Sequence, residues 1–262
     1  IFYYENGAPS VISNVLLNTI PSEKGEMDLN KIEAAIKPDI YYFPTTKLVC
    51  LESTHNRHGG TIISPSYIKD VKKICRKHDL NYHLDGARVW NATAALDMSL
   101  KDYTEEFDTI SVCLSKGLGA PVGSVLLGPE DKIKMGLKYR KLLGGGMRQV
   151  GILAAAGLHA VKEHYPLLKQ DHENAKTFAK SVNESDHLHC DLRSVETNII
   201  KIKHDDAINT GKVVENLKNN GLLVSDIGGN NIRVVFHFQI SREETLKAAD
   251  IFKNVVNKMI KS

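Results

Sequence analysis

Two apolar segments separated by an amphipathic helix constrain this chain more than any other feature. Residues 47–52 predict a buried strand that ends in Glu52, and residues 81–84 predict a second strand that leads into Asp85. Between them, Ser64 and Pro65 predict the start of a helix with proline in its first position. This order is typical of a parallel sheet, whose ligand crevice lies beyond the carboxyl ends of its strands. We therefore predict an α/β fold with a mostly parallel sheet sandwiched by helices.

A lysine follows the next predicted strand. Residues 109–114 form an apolar segment that is followed by Lys116, a turn through Gly117 and Gly119, and a second apolar segment over residues 122–127. A solvated lysine has a pKa of about 10.4, whereas a lysine in a low-dielectric pocket can lose its proton near neutrality and become nucleophilic. Lys116 is therefore a candidate catalytic residue, and an ordinary solvated loop lysine is the alternative.

The C-terminal part of the sequence has a different pattern. We predict strands over residues 197–203, 222–224 and 232–238, a helix over 208–219, and a last helix that opens with a capping box at Ser241 and Glu244. An alanine-rich helix that continues past Pro166 is predicted to connect this part to the first. We therefore expect a large domain over residues 1–182 and a small C-terminal α/β domain over residues 183–262.

The composition excludes several functional classes. The net charge of +3 arises from 34 basic and 31 acidic residues that are interspersed, which predicts neither a nucleic-acid partner nor a membrane partner. The four cysteines lack CxxC spacing, and those in the predicted strands, Cys50 and Cys113, are expected to be buried thiols. We expect no metal site, no signal peptide and a cytoplasmic location, with a mitochondrial location as the alternative.

Asp85 and Lys116 satisfy two needs of a pyridine aldehyde cofactor. Such a cofactor requires a lysine that forms an imine with it, an acid that keeps the ring nitrogen protonated, and donors for a phosphate. Asp85 and Lys116 follow successive predicted strands, so one crevice can hold both. The alternatives are an aspartate in a common Asp-Gly turn and, for the nearby Arg88, an ordinary surface arginine.

Three longer segments carry a resemblance to a known family. They are HLDGARVWNA over residues 83–92, SVCLSKGLGAPVGS over 111–124 and RKLLGGGMRQ over 140–149. They resemble the low-specificity L-threonine aldolases, which belong to the beta-eliminating lyase group of pyridoxal-phosphate enzymes and have the aspartate aminotransferase fold. Residues 51–56 and 233–237 resemble the same family, so the similarity covers essentially the whole chain.

The resemblance implies a role for several residues. Lys116 is the lysine that forms the Schiff base with pyridoxal 5'-phosphate, Asp85 is the partner of the pyridine nitrogen, and Arg88 neighbours the cofactor oxygen or the substrate carboxylate. Arg233 binds the substrate carboxylate. Lys141 and Arg148 approach the cofactor phosphate of a neighbouring subunit, in a homotetramer built as a dimer of dimers with each cofactor site near a subunit interface. From the residues alone, a solvated basic helix face is the alternative for that segment.

The resemblance also implies a reaction. It is the retro-aldol cleavage of the Cα–Cβ bond of L-threonine, L-allo-threonine and related β-hydroxy-α-amino acids to glycine and an aldehyde, in threonine catabolism and glycine biosynthesis. We keep two alternatives. One is a related pyridoxal-phosphate lyase that acts on another amino acid, and the other is a catalytically impaired fragment that serves as an oligomer subunit.

The sequence departs from the family in two places. Ile1 opens a segment that is typical of a domain interior, and the family's Ser-Gly-Thr phosphate loop and ring-stacking histidine are expected to precede it. Tyr42 stands where many relatives have a histidine that handles the substrate hydroxyl. Tyrosine, with a pKa near 10, is the weaker base at neutral pH, so His55 is the other candidate base. A structural histidine that caps its loop is the alternative.

Overall fold

A computed structural model describes residues 1–260 of the chain. The elements of its first half are α1 (Ala8–Ser13), β1 (Ser22–Glu23), β2 (Glu26–Met27), α2 (Leu29–Ala35), β3 (Leu48–Glu52), α3 (Pro65–Lys77), β4 (Asn81–Gly86), α4 (Val89–Leu96), α5 (Leu100–Thr104), β5 (Thr109–Cys113), β6 (Ser124–Leu127) and α6 (Glu130–Leu142). Those of its second half are α7 (Gly151–His159), α8 (Leu168–Val182), β7 (Leu188–His189), β8 (Ile199–His204), α9 (Thr210–Asn219), β9 (Ser225–Asp226), β10 (Asn231–Val235) and α10 (Arg242–Ile260).

The central sheet has the strand order β3-β4-β5-β6. The first three strands are parallel to one another and β6 is antiparallel to β5, which confirms the predicted mostly parallel sheet. One face is apolar and packs in a core with the buried face of α3, where the contributing side chains include Val49, Leu51, Tyr82, Leu84, Ile110, Ile68 and Val71. Residues on the other face, such as Cys50, Glu52, His83 and Asp85, are only half-buried.

This difference between the faces corrects the prediction for two cysteines. Cys50 and Cys113 are half-buried, because both lie on the sheet face that α3 does not cover, whereas Cys75 and Cys190 are buried. All four are free thiols. Burial raises the pKa of Cys50 to about 11, so this thiol is a weak nucleophile despite its partial exposure.

The predicted start of α3 agrees with the structure, and α2 is capped in a similar way. The Asp28 carboxylate accepts a hydrogen bond from the Asn30 backbone N–H, and the Ser64 hydroxyl accepts one from the Tyr67 backbone N–H. Pro65 occupies the first turn of α3, where its missing N–H leaves no helix acceptor unpaired. These caps fix the start of α3 and hence its position over the sheet.

The connecting helix differs from the prediction of one continuous helix. After α7 the chain forms one π-helical segment, Ala160–His164, and one 3₁₀ turn, Tyr165–Leu167, before α8 begins. Pro166 explains the interruption, because proline lacks the N–H of a helical hydrogen bond and its ring clashes with the preceding turn. The interruption places His164 so that its Nδ1 donates to the Leu118 carbonyl oxygen at 2.7 Å.

The C-terminal sheet has the order β7-β8-β10-β9 and is antiparallel throughout. Its core includes residues of α8, α9 and α10, among them Phe178, Leu217 and Phe252. The capping box is confirmed, since Glu244 accepts from the Ser241 backbone N–H while Ser241 accepts from the Glu244 backbone N–H.

Two strands that the sequence predicted in this part differ from the structure: one is not formed and the other ends earlier. The prediction of a strand over residues 222–224 was wrong, because the Leu222 N–H bonds to the Leu217 carbonyl and completes the end of α9. The strand that was predicted to reach residue 238 ends at Val235, and the chain then turns where the Ile240 N–H meets the His237 carbonyl.

Helix α8 takes part in two apolar cores. Leu168 packs with Leu118 and Ala120 next to the central sheet, whereas Phe178 and Val182 lie in the C-terminal core. The domain division at residues 1–182 and 183–262 therefore stays a prediction. Within residues 1–260, no helix is both long enough and apolar enough to cross a membrane.

Candidate active site

Two carboxylates lie side by side at the carboxyl ends of neighbouring strands. Glu52 at the end of β3 is in register with Asp85 in β4, and Asp85 is in turn in register with Ser111 in β5. Because register partners in a sheet point to the same face, all three side chains lie on the half-buried face. Asp85 accepts a hydrogen bond from the Ala87 backbone N–H at 3.2 Å, which orients its carboxylate towards the start of α4.

Lys116 follows the next strand of the same parallel set. The turn that carries it is fixed by the Gly119 N–H, which donates to the Lys116 carbonyl at 2.8 Å, and by the buried Leu118. Gly119 has a φ of +68°, a conformation that glycine adopts without strain. The side chain of Lys116 is exposed, and its amine forms no hydrogen bond or ion pair with residues 1–260. The low-dielectric pocket that the sequence suggested is therefore not supplied by the described residues.

Arg88 is the N-cap residue of α4. Its side chain is half-buried, and burial lowers the pKa of Arg88, an effect that Glu52 and Asp85 oppose and Arg233 reinforces. These mutual influences place Arg88 within electrostatic reach of both carboxylates and of Arg233. Its guanidinium makes no hydrogen bond within the described part of the chain, so its donors are available to an anionic ligand.

His55 lies just beyond the end of β3. Its backbone is held by Thr61, whose carbonyl accepts from the His55 N–H at 2.8 Å, and its ring is 4.6 Å from that of His58. Burial lowers the pKa of His55 below its ordinary value, and the negative charge of Glu52 opposes this shift in part. The imidazole is consequently neutral at neutral pH. Its Nδ1 is buried and has no hydrogen-bond partner among residues 1–260, so no bond at this atom fixes the tautomer, and the neutral ring can accept a proton at its unprotonated nitrogen.

A cavity of about 260 Å³ separates the His55 loop from the C-terminal sheet. Arg233 reaches into it from β10, and its Nη1 donates to Oδ1 of Asn56 at 2.8 Å. The Arg233 Nε is buried and has no partner among the described residues. The side chains around the cavity carry positive or no charge, and they belong to Tyr4, His55, Asn56, Arg57, His58, Lys201, Ile227 and Arg233. The cavity is therefore suited to an anion.

Tyr42 is not brought to this group of residues. It lies on the loop that precedes β3, its side chain is 65% exposed, and its ring packs against those of Tyr41 and Phe43. Asp85, by contrast, lies near the carboxyl end of β4, and His55 and Lys116 follow the carboxyl ends of β3 and β5. The structure thus places His55 beyond the carboxyl end of β3 and Tyr42 on the loop before the start of that strand.

Lys141 and Arg148 also lie outside the group. Both are exposed, Lys141 in the last turn of α6 and Arg148 in the segment between α6 and α7. Large apolar side chains are exposed around them, which include Met135, Leu137, Tyr139, Leu142, Met147 and Ile152. An apolar surface of this kind is typical of a protein interface.

The sequence model of the beta-eliminating lyase family matches residues 1–205. The chain belongs to the beta-eliminating lyase family. Among curated relatives, it is 40% identical to low-specificity L-threonine aldolase 1 of Arabidopsis thaliana, over 98% of this chain and 73% of that protein. It is 36% identical to the low specificity L-threonine aldolase of Escherichia coli K12, over 95% of this chain and 72% of that protein.

Solved structures show the same fold at lower sequence identity. The threonine aldolase of Leishmania major superimposes with a TM-score of 0.80 at 18% identity, over 97% of this chain and 74% of that chain. Ornithine delta-aminotransferase of Plasmodium falciparum gives a TM-score of 0.64 at 17% identity, over 90% and 60%. The predicted aspartate aminotransferase-like large domain with a small C-terminal domain is thereby confirmed as the fold of this beta-eliminating lyase.

Family membership makes this chain a lyase with pyridoxal phosphate as its implied cofactor. The donor set suits such a group, because the Asp85 carboxylate on β4 lies beside β5, the strand that leads to Lys116, and the Lys116 amine has no partner among residues 1–260. The Arg88 guanidinium and the Nε of Arg233, which have no hydrogen-bond partner among residues 1–260, supply positively charged donors that lie within electrostatic reach of each other. The residues present therefore fit the cofactor and an amino-acid carboxylate.

Sequence reasoning missed several residues that support this lyase site. Glu52 and Asn56 lie inside a motif that was recognised, but only register and long-range contacts show what they touch. Asn91 is buried beneath the lysine turn, where its Nδ2 is 3.1 Å from the position that a Cβ on Gly117 would occupy. The nearest sequence signal for Asn91 is its place at the start of an otherwise apolar helix.

Proposed function

We propose that this beta-eliminating lyase cleaves L-threonine, L-allo-threonine and related β-hydroxy-α-amino acids to glycine and an aldehyde, with pyridoxal phosphate as cofactor. The observation that carries the proposal is the position of Asp85 near the carboxyl end of β4 and of Lys116 just after the carboxyl end of the adjacent parallel strand β5. The relatives named as L-threonine aldolases support the choice of substrate.

Different residues of the chain supply the chemical groups that this reaction requires. Lys116 supplies the amine that joins the cofactor, and Asp85 supplies a negative charge for the pyridine nitrogen. When bound, pyridoxal phosphate supplies an electron sink for the negative charge that develops at Cα as the Cα–Cβ bond breaks. Arg233 and Arg88 offer guanidinium donors to the substrate carboxylate, and their fork geometry matches its two oxygens.

A base must remove the proton of the β-hydroxyl group. We assign this role to His55, because its neutral imidazole has a nitrogen without a partner among the described residues. The ring also lies beyond the end of β3, within electrostatic reach of Glu52. Tyr42 is the alternative base, and its exposed position on the loop before β3 makes it the weaker candidate. The protein must then return one proton to Cα before glycine leaves.

We further propose an assembly and a cellular role. The exposed apolar side chains on α6 and α7 support a homotetramer in which Lys141 and Arg148 approach the cofactor phosphate of a neighbouring subunit. The proposed products suit threonine catabolism and glycine biosynthesis in the cytoplasm. An inactive subunit that only assembles, or a lyase for another amino acid, would be revealed by the experiments that follow.

Reduction of the cofactor-loaded protein with borohydride tests the assignment of the lysine. We expect one phosphopyridoxyl group per chain, located on Lys116 by peptide mass spectrometry, and no such group in Lys116→Ala. Lys138→Ala is the matched control, because Lys138 is an exposed lysine of α6. A chain that assembles but gains no modification, or gains it elsewhere, refutes the proposal.

A second readout does not depend on turnover. Trp90 is the one tryptophan of the chain, and its Nε1 donates to the Cys113 carbonyl at 3.0 Å, at the end of the strand that leads to Lys116. We expect pyridoxal phosphate to quench Trp90 fluorescence in a saturable manner. Products from threonine, allo-threonine and phenylserine then separate an aldolase from a lyase with another substrate.

A further inference from the structure

The lysine turn, residues 114–120, packs closely against two helices. A Cβ atom added to Gly117 would lie 3.1 Å from Nδ2 of Asn91 in α4 and 3.1 Å from Cδ2 of Leu168 in α8. Contacts this short leave little room for a side chain, so the backbone that follows Lys116 rests directly on these two residues. One of them is apolar, and the other is a buried amide.

Within the described part of the chain, the backbone of this turn fixes the position of Lys116. The Gly119 N–H donates to the Lys116 carbonyl oxygen at 2.8 Å, and the Ala120 N–H donates to the Leu114 carbonyl oxygen at 3.0 Å. The Lys116 amine itself has no hydrogen-bond or ion-pair partner among residues 1–260. The contacts that hold the turn therefore decide where the amine can reach.

The Asn91 amide is held in one orientation by His172. Nε2 of His172 in α8 lies 2.9 Å from Oδ1 of Asn91, and an amide oxygen can only accept, so the histidine donates. This bond directs the amino group of Asn91, Nδ2, to Gly117. The last torsion of an asparagine side chain has two preferred states, so without this bond the amide can turn over and present its oxygen to the backbone instead.

The stability of the core does not explain this buried pair. Asn91 and His172 are 1% and 3% exposed, and α4 buries mainly small or apolar side chains beside Asn91, such as Val89 and Ala92. Two apolar side chains of the same shape can replace a buried hydrogen-bonded pair with little change in stability. A buried polar pair with its hydrogen bond formed instead specifies one arrangement of the groups that it joins.

We propose that Asn91, oriented by His172, is a positioning residue that supports the lysine turn and keeps the Lys116 amine in place for imine formation with the cofactor. The inference rests on the proposed function, since it concerns the lysine that joins pyridoxal phosphate. It predicts that loss of the Asn91–His172 bond slows imine formation, because a displacement of about 1 Å can slow a reaction on the order of a hundredfold.

Hydrogen exchange tests the support of the turn without cofactor and without turnover. In Asn91→Leu and His172→Leu we expect the N–H groups of residues 119–120 to exchange about tenfold faster than in the wild type, as measured by NMR, because their acceptors lie within the turn. Asn174→Leu is the matched control, since Asn174 is a buried amide of α8 that bonds to the Ile240 carbonyl. It should leave both N–H groups unchanged. Unchanged exchange in Asn91→Leu would overturn the proposal.

The rate of imine formation tests the consequence for Lys116. Pyridoxal phosphate is mixed with each variant, and the imine absorbance is followed by stopped flow after subtraction of the Lys116→Ala signal. We expect the rate constant to fall about tenfold or more in Asn91→Leu and His172→Leu, but by less than about threefold in His172→Gln, whose amide can still donate to Asn91. Asn174→Leu should react at the wild-type rate. An equal loss in His172→Gln and His172→Leu, or no loss in any variant, would overturn the positioning role.

A double variant guards against a folding defect. Each single leucine variant leaves one buried polar group without its partner, whereas Asn91→Leu combined with His172→Leu leaves none. The double variant should form the imine about tenfold more slowly than the wild type, and no more slowly than Asn91→Leu, because His172 acts through Asn91. A further loss in the double variant would show that His172 acts independently and would overturn the proposed coupling.

The two measurements separate this inference from the proposed function. If the wild type forms no imine on Lys116, the proposed function is refuted, and faster exchange in Asn91→Leu would still support the role of Asn91 in holding the turn. If the wild type forms the imine and Asn91→Leu forms it equally fast, the positioning role is refuted and the proposed function stands.

Discussion

Nε2 of His172 in α8 lies 2.9 Å from Oδ1 of Asn91 in α4, and both side chains are buried. Since an amide oxygen can only accept, His172 donates from Nε2, and its burial lowers the pKa of His172 to about 4. Asn91 packs in turn against the backbone of Gly117, next to Lys116. A neutral histidine in the connecting helix thereby supports the turn that carries the candidate catalytic lysine.

The pH dependence of stability should reveal this histidine. Its folded pKa is depressed, so its contribution is present above the ordinary value of about 6.5 and is lost as pH falls towards about 4. We expect the free energy of unfolding of the wild type, relative to His172→Gln, to decrease by about 3 kcal/mol across that window. Urea unfolding at both ends of the window measures it, and a difference that does not vary with pH would show that His172 is not buried in neutral form.

The adjacent Asp171 should give the free energy of unfolding the opposite pH dependence. It is 0% exposed, neither carboxylate oxygen has a hydrogen-bond partner among residues 1–260, and burial raises the pKa of Asp171 to about 7. Its contribution is thus present below its ordinary pKa, near 3.8, and is lost as pH rises through about 7.

Asp171→Asn should therefore gain stability relative to the wild type as pH rises. We expect a relative gain of up to about 4 kcal/mol between about pH 4 and pH 8, measured by urea unfolding. Between about pH 4 and 6.5 the slopes of Asp171 and His172 offset one another in the wild type, so only the single variants expose them. A pH-independent difference would indicate that Asp171 finds a partner in solution.

Gly119 should tolerate no side chain. Its φ is +68°, and an added Cβ would lie 2.7 Å from the ring of Phe238. We expect Gly119→Ala to lower the free energy of unfolding by about 2–4 kcal/mol, from backbone strain together with overpacking. Gly123→Ala is the matched control, since Gly123 also has a positive φ but has nothing within 4 Å of its Cβ position. Addition of Phe238→Leu should recover part of the loss only for Gly119→Ala, as judged by thermal unfolding.

The sequence predicts local features of this fold and fails where distant elements meet. Apolar segments located β3, β4 and β5, and the carboxyl-end rule placed Asp85 and Lys116 at the ends of neighbouring strands. The Asn91–His172 and Asn56–Arg233 contacts join residues far apart in the chain, and they depend on how helices and sheets pack. No periodicity encodes such contacts. The exposure of Lys116 could not be foreseen either, since it depends on what surrounds the turn.

Glu52 provides a test of which residue is the base. Its negative charge raises the pKa of His55 against the effect of burial, so Glu52→Gln should lower that pKa further, while the amide oxygen still accepts from the Asn56 N–H. If His55 must be neutral to take the hydroxyl proton, the acid limb of the pH–rate profile should move to lower pH in this variant. An NMR titration, with the His55 signal assigned by its loss in His55→Gln, measures the pKa directly.

The matched control for this test is Glu196→Gln, because Glu196 also accepts from a loop backbone N–H, that of Ile62, at 2.7 Å. This variant should change neither the pKa of His55 nor the position of the acid limb of the pH–rate profile, since Glu196 is not among the charges that act on His55. A lowered pKa of His55 without a shift of the acid limb would remove His55 as the base. In that case, loss of the corresponding limb in Tyr42→Phe would assign the role to Tyr42, whose hydroxyl would then have to reach the substrate from the loop before β3.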